Sequence, residues 1–192
     1  MAESNQKNHR STIFLTFIAG GIFILGAALF PLLVNARQKA LENAAPILAP
    51  VNTGYPAPQL VLVDLQGNPV SIDDYRGQVI LVNNWATWCP PCKLEMAELQ
   101  AYYAAHAKEG FVVLAIESGE PTDQVASYVQ EHGLTFPVFL DPHSTALEAF
   151  DNWNLPNSYI IDRQGVVRLS WTGGINQPTL EHYVTPLLEE NK

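Results

Sequence analysis

Apolar and polar positions divide the chain into stretches with different rhythms. From Ser11 to Ala36 no residue is charged, and Ile13 to Val34 is almost continuously apolar. At about 1.5 Å per residue that run makes roughly 33 Å of helix, enough to cross a bilayer core of about 30 Å. Gly20, Gly21 and Gly26 are tolerated in such a helix, because lipid forces the backbone groups to pair internally. The pattern predicts a short cytoplasmic tail over 1–11 and a transmembrane signal anchor over 12–35. A cleaved signal peptide is the alternative, with Val34-Asn35-Ala36 as a loose small-residue cleavage site. Its apolar region is usually about 7 to 15 residues, well short of this run. Ala44 to Pro58 then holds Pro46, Pro50, Pro56, Pro58 and Gly54 with few charges. It predicts an extended, semi-rigid spacer within a linker over 36–57, ahead of a folded domain over 58–192.

Inside that domain the rhythm alternates between strand and helix. Leu60-Val61-Leu62-Val63 and Val70-Ser71-Ile72 flank Gln66-Gly67-Asn68-Pro69 and read as a hairpin. Val79 to Trp85 is a short apolar run, the mark of a strand buried on both faces. Met96, Leu99, Tyr102 and Tyr103 repeat at helical spacing up to Lys108 and Gly110. Phe111–Ile116 reads as a second buried strand. Thr122–His132 reads as a helix capped by Thr122 and stopped by Gly133. Pro137–Leu140 is a short strand and Thr145–Phe150 a helical turn or two. Ser158–Ile161 and Val166–Trp171 join at Asp162-Arg163-Gln164-Gly165 as a hairpin. Gln177–Glu190 is a closing helix that Pro186 should bend or interrupt. Strands alternating with helices need crossovers and give a parallel core, to which the late hairpin adds antiparallel strands at an edge. The expected domain is α/β with a mixed sheet.

Charge removes one class of function. The formal net charge is −9, and only ten Lys and Arg are scattered through 192 residues. A phosphate backbone is held by clusters of such residues, so nucleic acid is not an expected partner. The acidic balance is otherwise that of a solvated surface.

The chain has two cysteines, both in Trp88-Cys89-Pro90-Pro91-Cys92. A disulfide-stapled secreted domain would need more of them, spread along the chain. After a buried strand and at a helix start, the spacing puts two thiols within bonding reach, with the first at the helix N-terminus. There the dipole and unpaired N–H groups favour a thiolate, the nucleophile of disulfide exchange. Cys89 is therefore the expected attacking residue, and Cys92, one turn inside, resolves the mixed disulfide. Pro90 and Pro91 have no N–H to offer the Cys89 sulfur, so the Cys92 N–H or S–H and the helix field must stabilise it. That predicts a moderate drop in the Cys89 pKa and a reductant rather than a strong oxidant. Three other readings stand beside this one. A zinc half-site would need two further ligands, which neither a second cysteine pair nor the histidine spacing supplies. A structural disulfide over so small a loop would restrict the unfolded chain little. Chance is the third.

At Leu81-Val82-Asn83-Asn84-Trp85-Ala86-Thr87-Trp88-Cys89-Pro90-Pro91-Cys92 the chain closely resembles the membrane-anchored thioredoxin-like proteins of the TlpA/ResA type. The resemblance spans about Pro58 to Leu188, through Leu155-Pro156 and Ile161-Asp162-Arg163-Gln164-Gly165. It implies a thioredoxin fold with an extra N-terminal hairpin and an inserted helix-strand unit. It also implies reduction of extracytoplasmic disulfides, often of apocytochrome c or of copper-site assembly proteins. Pro156 matches the family's cis-proline, which lies beside the cysteines, although Pro137 also precedes a strand. Glu95 matches an acidic residue that tunes the cysteines in part of the family. Three residues after Cys92, on the same helix face, it could exchange a proton; the alternative is an exposed Glu in the first turn that helps the dipole. Trp88, Pro90, Pro91 and Leu155 are the expected substrate contacts. Trp85 and Trp88 otherwise read as core and rim packing, and Met96, Tyr102 and Tyr103 as helix core. Three positions depart from the family. Asn157 replaces a common Thr, Asn84 replaces a common aromatic and needs partners of its own, and Asn83 stands where cytoplasmic thioredoxins carry a buried Asp.

The reading is thus an enzyme without a bound cofactor or metal, recycled by a membrane or thioredoxin-like electron donor. Lys7 and Arg10 before the span and Arg37 and Lys39 after it barely choose an orientation. The domain behind the anchor and its cysteine motif decide for the extracytoplasmic side of the cell membrane. The rivals are a copper-delivery module using the cysteines with a histidine such as His143, and a thiol peroxidase.

Overall fold

The structure is a computed structural model that describes residues 49–190. The expected tail, the expected span over 12–35 and most of the expected linker lie outside those residues. Among the described residues no helix is long and apolar enough to cross a membrane.

In chain order the elements are β1 (Val51–Pro56), β2 (Val61–Asp64), β3 (Pro69–Ser71), β4 (Val79–Trp85), α1 (Pro90–His106), β5 (Phe111–Glu117) and α2 (Thr122–Glu131). They continue with β6 (Val138–Leu140), α3 (Thr145–Ala149), β7 (Asn157–Ile161), β8 (Val166–Thr172), α4 (Gln177–Tyr183) and α5 (Thr185–Glu189). The strands form one eight-stranded sheet in the order β1-β8-β7-β4-β5-β6-β2-β3. β4, β5 and β6 run parallel, as the crossovers through α1 and α2 require. β7 lies antiparallel on the other flank of β4, followed by β8 and β1.

β4 is the axis of the domain, and every one of its residues is buried. Successive side chains point to opposite faces of a strand. Val79, Leu81 and Trp85 share an apolar layer with Met96, Leu99 and Tyr102 of α1 and with Leu180 and Leu188 of the C-terminal helices. Ile80 and Val82 share the other layer with Leu60, Ile72, Ala146, Phe150 and Tyr159. The same alternation sends Asn83 toward α1 and Asn84 toward the opposite layer.

Three local expectations are revised. Val51–Pro56, placed in the spacer, is an edge strand paired with β8. Its irregular register between Asn52 and Tyr55 and the Thr53 Oγ1 bond to Val167 O (2.7 Å) accommodate Gly54. Pro56 lacks an N–H but sits at the end of an edge strand, where Pro is tolerated. The hairpin β7–β8 is consequently interior rather than marginal. Thr122 is the first residue of α2, not its cap; Pro121 holds the cap position, its carbonyl accepting the N–H groups of Gln124 and Val125. The closing helix is interrupted, as Pro186 predicts: it is two helices, with Pro186 in the first turn of α5, where a missing N–H leaves nothing unpaired.

Candidate active site

β4 delivers the chain to the site. Beyond the buried Trp85, the Cys89 N–H turns back to Ala86 O (3.2 Å), and Cys89 becomes the cap of α1. Its sulfur accepts the Cys92 N–H at 3.3 Å, the donor that remains once Pro90 and Pro91 occupy the first helical turn. The two sulfurs are bonded to each other. They are not equivalent: Cys89 keeps 3% of its surface and Cys92 none, so an incoming thiolate reaches the disulfide through Cys89. Trp88 stands 65% exposed next to it, Pro90 is exposed and Pro91 half-buried. The Gly173–Ile175 segment passes over this helix start closely enough that a side chain at Gly174 would meet Pro91 O at 3.8 Å.

Glu95 is buried behind the disulfide, 1% exposed, rather than displayed on the first turn. It accepts the Asn83 side-chain N–H at 2.8 Å and the Ile175 backbone N–H at 3.2 Å. Burial pushes its pKa up to about 8 against the pull of these two donors. Asn83, where cytoplasmic thioredoxins carry a buried Asp, is therefore the amide that holds this carboxyl. Its Nδ2 also donates to Ser158 Oγ (2.9 Å), while its Oδ1 is buried without a protein partner. That oxygen can accept from a protonated Glu95 if the amide turns over, so the site can hold the carboxyl in either protonation state.

The Leu155–Pro156 peptide bond is cis, the geometry the resemblance implies. Pro156 is buried and Leu155 half-buried. Pro156 O accepts the Gly173 N–H at 2.7 Å, which ties this loop to the segment above Pro91. The two departures flanking it answer each other: Asn84 Nδ2 donates to Asn157 Oδ1 at 2.7 Å, both side chains fully buried.

A second acidic group braces the approach to Cys89. Glu120 accepts the Thr87 N–H (2.6 Å) and the Thr87 hydroxyl, and Gln124 Nε2 donates to Thr87 Oγ1 (2.9 Å). Glu117, at the end of β5, accepts the Glu120 N–H at 3.0 Å. Burial first, and then the adjoining Glu120 carboxyl, push Glu117 up to about 7. This brace was not expected from the sequence, because Thr87 and Glu120 meet only through the parallel register that sets Trp85 beside Glu117.

The geometry is a redox pair at a helix start, both cysteines buried but Cys89 less completely than Cys92, with a buried acid one turn further along the helix. The pattern of the AhpC/TSA family matches residues 53–170, more than half of the chain. This chain belongs to the AhpC/TSA family. Within it, the chain is 36% identical over 134 residues to the thiol-disulfide oxidoreductase ResA of Geobacillus kaustophilus, covering 70% of this chain and 77% of that one. It is 31% identical over 169 residues to ResA of Bacillus subtilis, covering 88% and 90%. A solved thiol:disulfide interchange protein of the thioredoxin family from Chlorobium tepidum matches with a TM-score of 0.65 and 27% identity, over 72% of this chain and 99% of that one. This AhpC/TSA member is a thiol-disulfide oxidoreductase with a thioredoxin-like α/β fold, as the motif's resemblance to the TlpA/ResA type implied. Its His143 is exposed in the turn after β6. Among the described residues no group of three or more His, Cys, Asp or Glu is placed to hold a metal, so the copper reading lacks a third ligand there.

Proposed function

We propose that this oxidoreductase is tethered to the cell membrane by its N-terminal segment and reduces disulfides of extracytoplasmic proteins, in a role like cytochrome c maturation or metal-site assembly. The observation that carries the reading is the asymmetry of the pair: Cys89, the cap of the helix beside the exposed Trp88, keeps 3% of its surface, while Cys92 keeps none and Glu95 1%. In the reduced enzyme the Cys89 thiolate attacks one sulfur of the substrate disulfide, and the other leaves and takes a proton from solvent. The Cys92 thiol passes its proton to the Glu95 carboxylate and displaces the substrate sulfur from Cys89. The substrate has gained two electrons and the enzyme holds its disulfide. A donor thiolate then reopens that disulfide at Cys89, and Cys92 leaves and takes back the proton that Glu95 kept. The donor's second thiolate attacks the donor sulfur of this mixed disulfide, so that the donor leaves as a disulfide, two electrons poorer, and Cys89 is freed as the thiolate. The scarcity of N–H donors around the Cys89 sulfur favours a thiolate of ordinary reactivity, suited to a reductant. What supports the tether is the uncharged run from Ile13 to Val34, and the redox chemistry supports the oxidising side of that membrane.

Cys92→Ser in the full chain tests the reading. The variant accumulates a mixed disulfide between Cys89 and a protein partner, recovered in the membrane fraction and accessible to a protease added from outside. Cys89→Ser forms none. Absence of any adduct together with absence of insulin reduction by the wild type overturns the reading. Adducts confined to cytoplasmic proteins overturn its location.

A further inference from the structure

Beside Cys89 stands the exposed indole of Trp88, and the domain carries a second exposed indole that the cycle leaves unexplained. Trp153 is 62% exposed, in the loop that leads to the cis Leu155–Pro156 bond. An indole normally buries a large apolar area, and this one is held out in water by a specific framework. Asn157 Nδ2 donates to Asn154 O (2.7 Å) and to Asn152 O (3.2 Å), one carbonyl on each side of Trp153. Asn152 Nδ2 donates to Thr172 Oγ1 (2.9 Å), and the Asn154 N–H returns to Asn152 Oδ1 (3.2 Å). The framework is anchored in the sheet through the buried Asn84–Asn157 amide pair.

The register fixes where this loop stands. Asn84 of β4 lies opposite Asn157 of β7 in the antiparallel ladder. The chain leaving β4 toward Trp88 and Cys89 and the chain entering β7 through Trp153 and Pro156 therefore share one end of two neighbouring strands, about 5 Å apart. Trp88 and Trp153, both exposed, thus stand on the two loops that meet at this end of the sheet.

We propose that Trp153 is a specificity-determining residue, selecting polypeptide disulfides with an aromatic or large aliphatic side chain beside the reacting cysteine. Asn84 and Asn157 are positioning residues for it. The inference rests on the reading that Cys89 exchanges with polypeptide disulfides, and it adds the class of sequence that carries them.

The test uses the full chain, reduced and then freed of reductant, in single turnovers against two peptides, each with one internal disulfide. One peptide has Trp next to a cysteine and the other has Ser there. The wild type reduces the Trp peptide faster at limiting concentration. Trp153→Ala shrinks that preference roughly three- to tenfold, chiefly by raising the half-saturating concentration, and Trp153→Phe retains most of it. Val61, equally exposed but on the hairpin at the far side of the sheet, serves as the control, and Val61→Ala keeps the wild-type preference. A wild type that reduces both peptides equally, or a preference that survives Trp153→Ala, overturns the proposal and leaves the reductase reading intact. A wild type that reduces neither peptide overturns both.

Discussion

Asn83 and Asn84 are neighbours in one strand, have the same side chain and are equally buried, yet they serve opposite faces of the sheet. On the α1 face Asn83 binds Glu95 and Ser158, directly behind the redox helix. On the other face Asn84 binds Asn157, which fastens the backbone around Trp153. One amide serves the group that holds a proton, and the other serves the surface that a substrate meets. The pleat of a single strand thus separates chemistry from recognition. The separation predicts that disturbing one face changes rates and pH dependence, while disturbing the other changes apparent affinity.

The largest effect belongs to the α1 face. Glu95→Gln keeps the size and two hydrogen bonds of the protonated carboxyl but can neither take nor return a proton. Closure of a preformed Cys89 mixed disulfide by Cys92 should slow about 10²- to 10⁴-fold, the usual worth of a positioned acid or base. Stopped-flow release of the substrate thiol measures it. Asn84→Ala should alter the same step less than threefold. Equal slowing in both variants would break the division between the faces.

The same carboxyl should set how stability depends on pH. Glu95 keeps its proton in the folded chain up to about pH 8, whereas the unfolded chain releases it near the ordinary value of 4.5. Folding takes up a proton between these limits. The stabilisation is complete below the unfolded value and is lost as pH rises through the folded one. The decline amounts to something on the order of a few kcal/mol. Urea unfolding of the disulfide form across this range should show it in the wild type and a much shallower slope in Glu95→Gln. The slope that remains belongs to Glu117, pushed up to about 7 in the same direction. Asn84→Ala should lower the whole curve without changing its slope, and a changed slope would mean that the faces share their titration.

Much of this arrangement was legible before any coordinates. The run from Val79 to Trp85 announced the central strand, and the helical spacing of Met96, Leu99 and Tyr102 announced the face of α1 that packs on it. The cysteine motif and the missing N–H groups of its prolines located the sulfur chemistry, and the Cys92 N–H bond has the place expected for it. What could not be read is what depends on register. Asn84 and Asn157 each stood out as a departure, but they are 73 positions apart and meet only once β4 and β7 are paired. Glu95 could be placed on the Cys92 face of its helix, yet whether that face met water or Asn83 depended on how α1 lies on the sheet. β1 was hidden for another reason: its Pro and Gly read as a spacer, and an edge strand asks little of its own sequence because β8 supplies the template. Trp153 carried a local signal, an aromatic residue between two asparagines just before Leu155-Pro156, which gained meaning only from its exposure.

The smallest effect sharpens the comparison from the recognition side. Asn84→Ala removes one donor and leaves Asn157 Oδ1 buried without it, at a cost of about 1–3 kcal/mol in stability. The loop around Trp153 keeps its own bonds from Asn157 to the Asn152 and Asn154 carbonyls, so it loosens rather than dissolves. For a peptide disulfide with an aromatic residue beside its cysteine, the expected result is a rise in KM of roughly two- to threefold with kcat unchanged, the signature of lost uniform binding. Asn157→Ala removes the loop bonds as well and should raise KM further. The double variant should do no more than Asn157→Ala alone, because Asn84 acts on the loop only through Asn157. Additive losses would show a second route from Asn84 to the substrate. A fall in kcat as large as the rise in KM would show that this amide reaches the sulfur chemistry after all, and the two faces of β4 would then be one site.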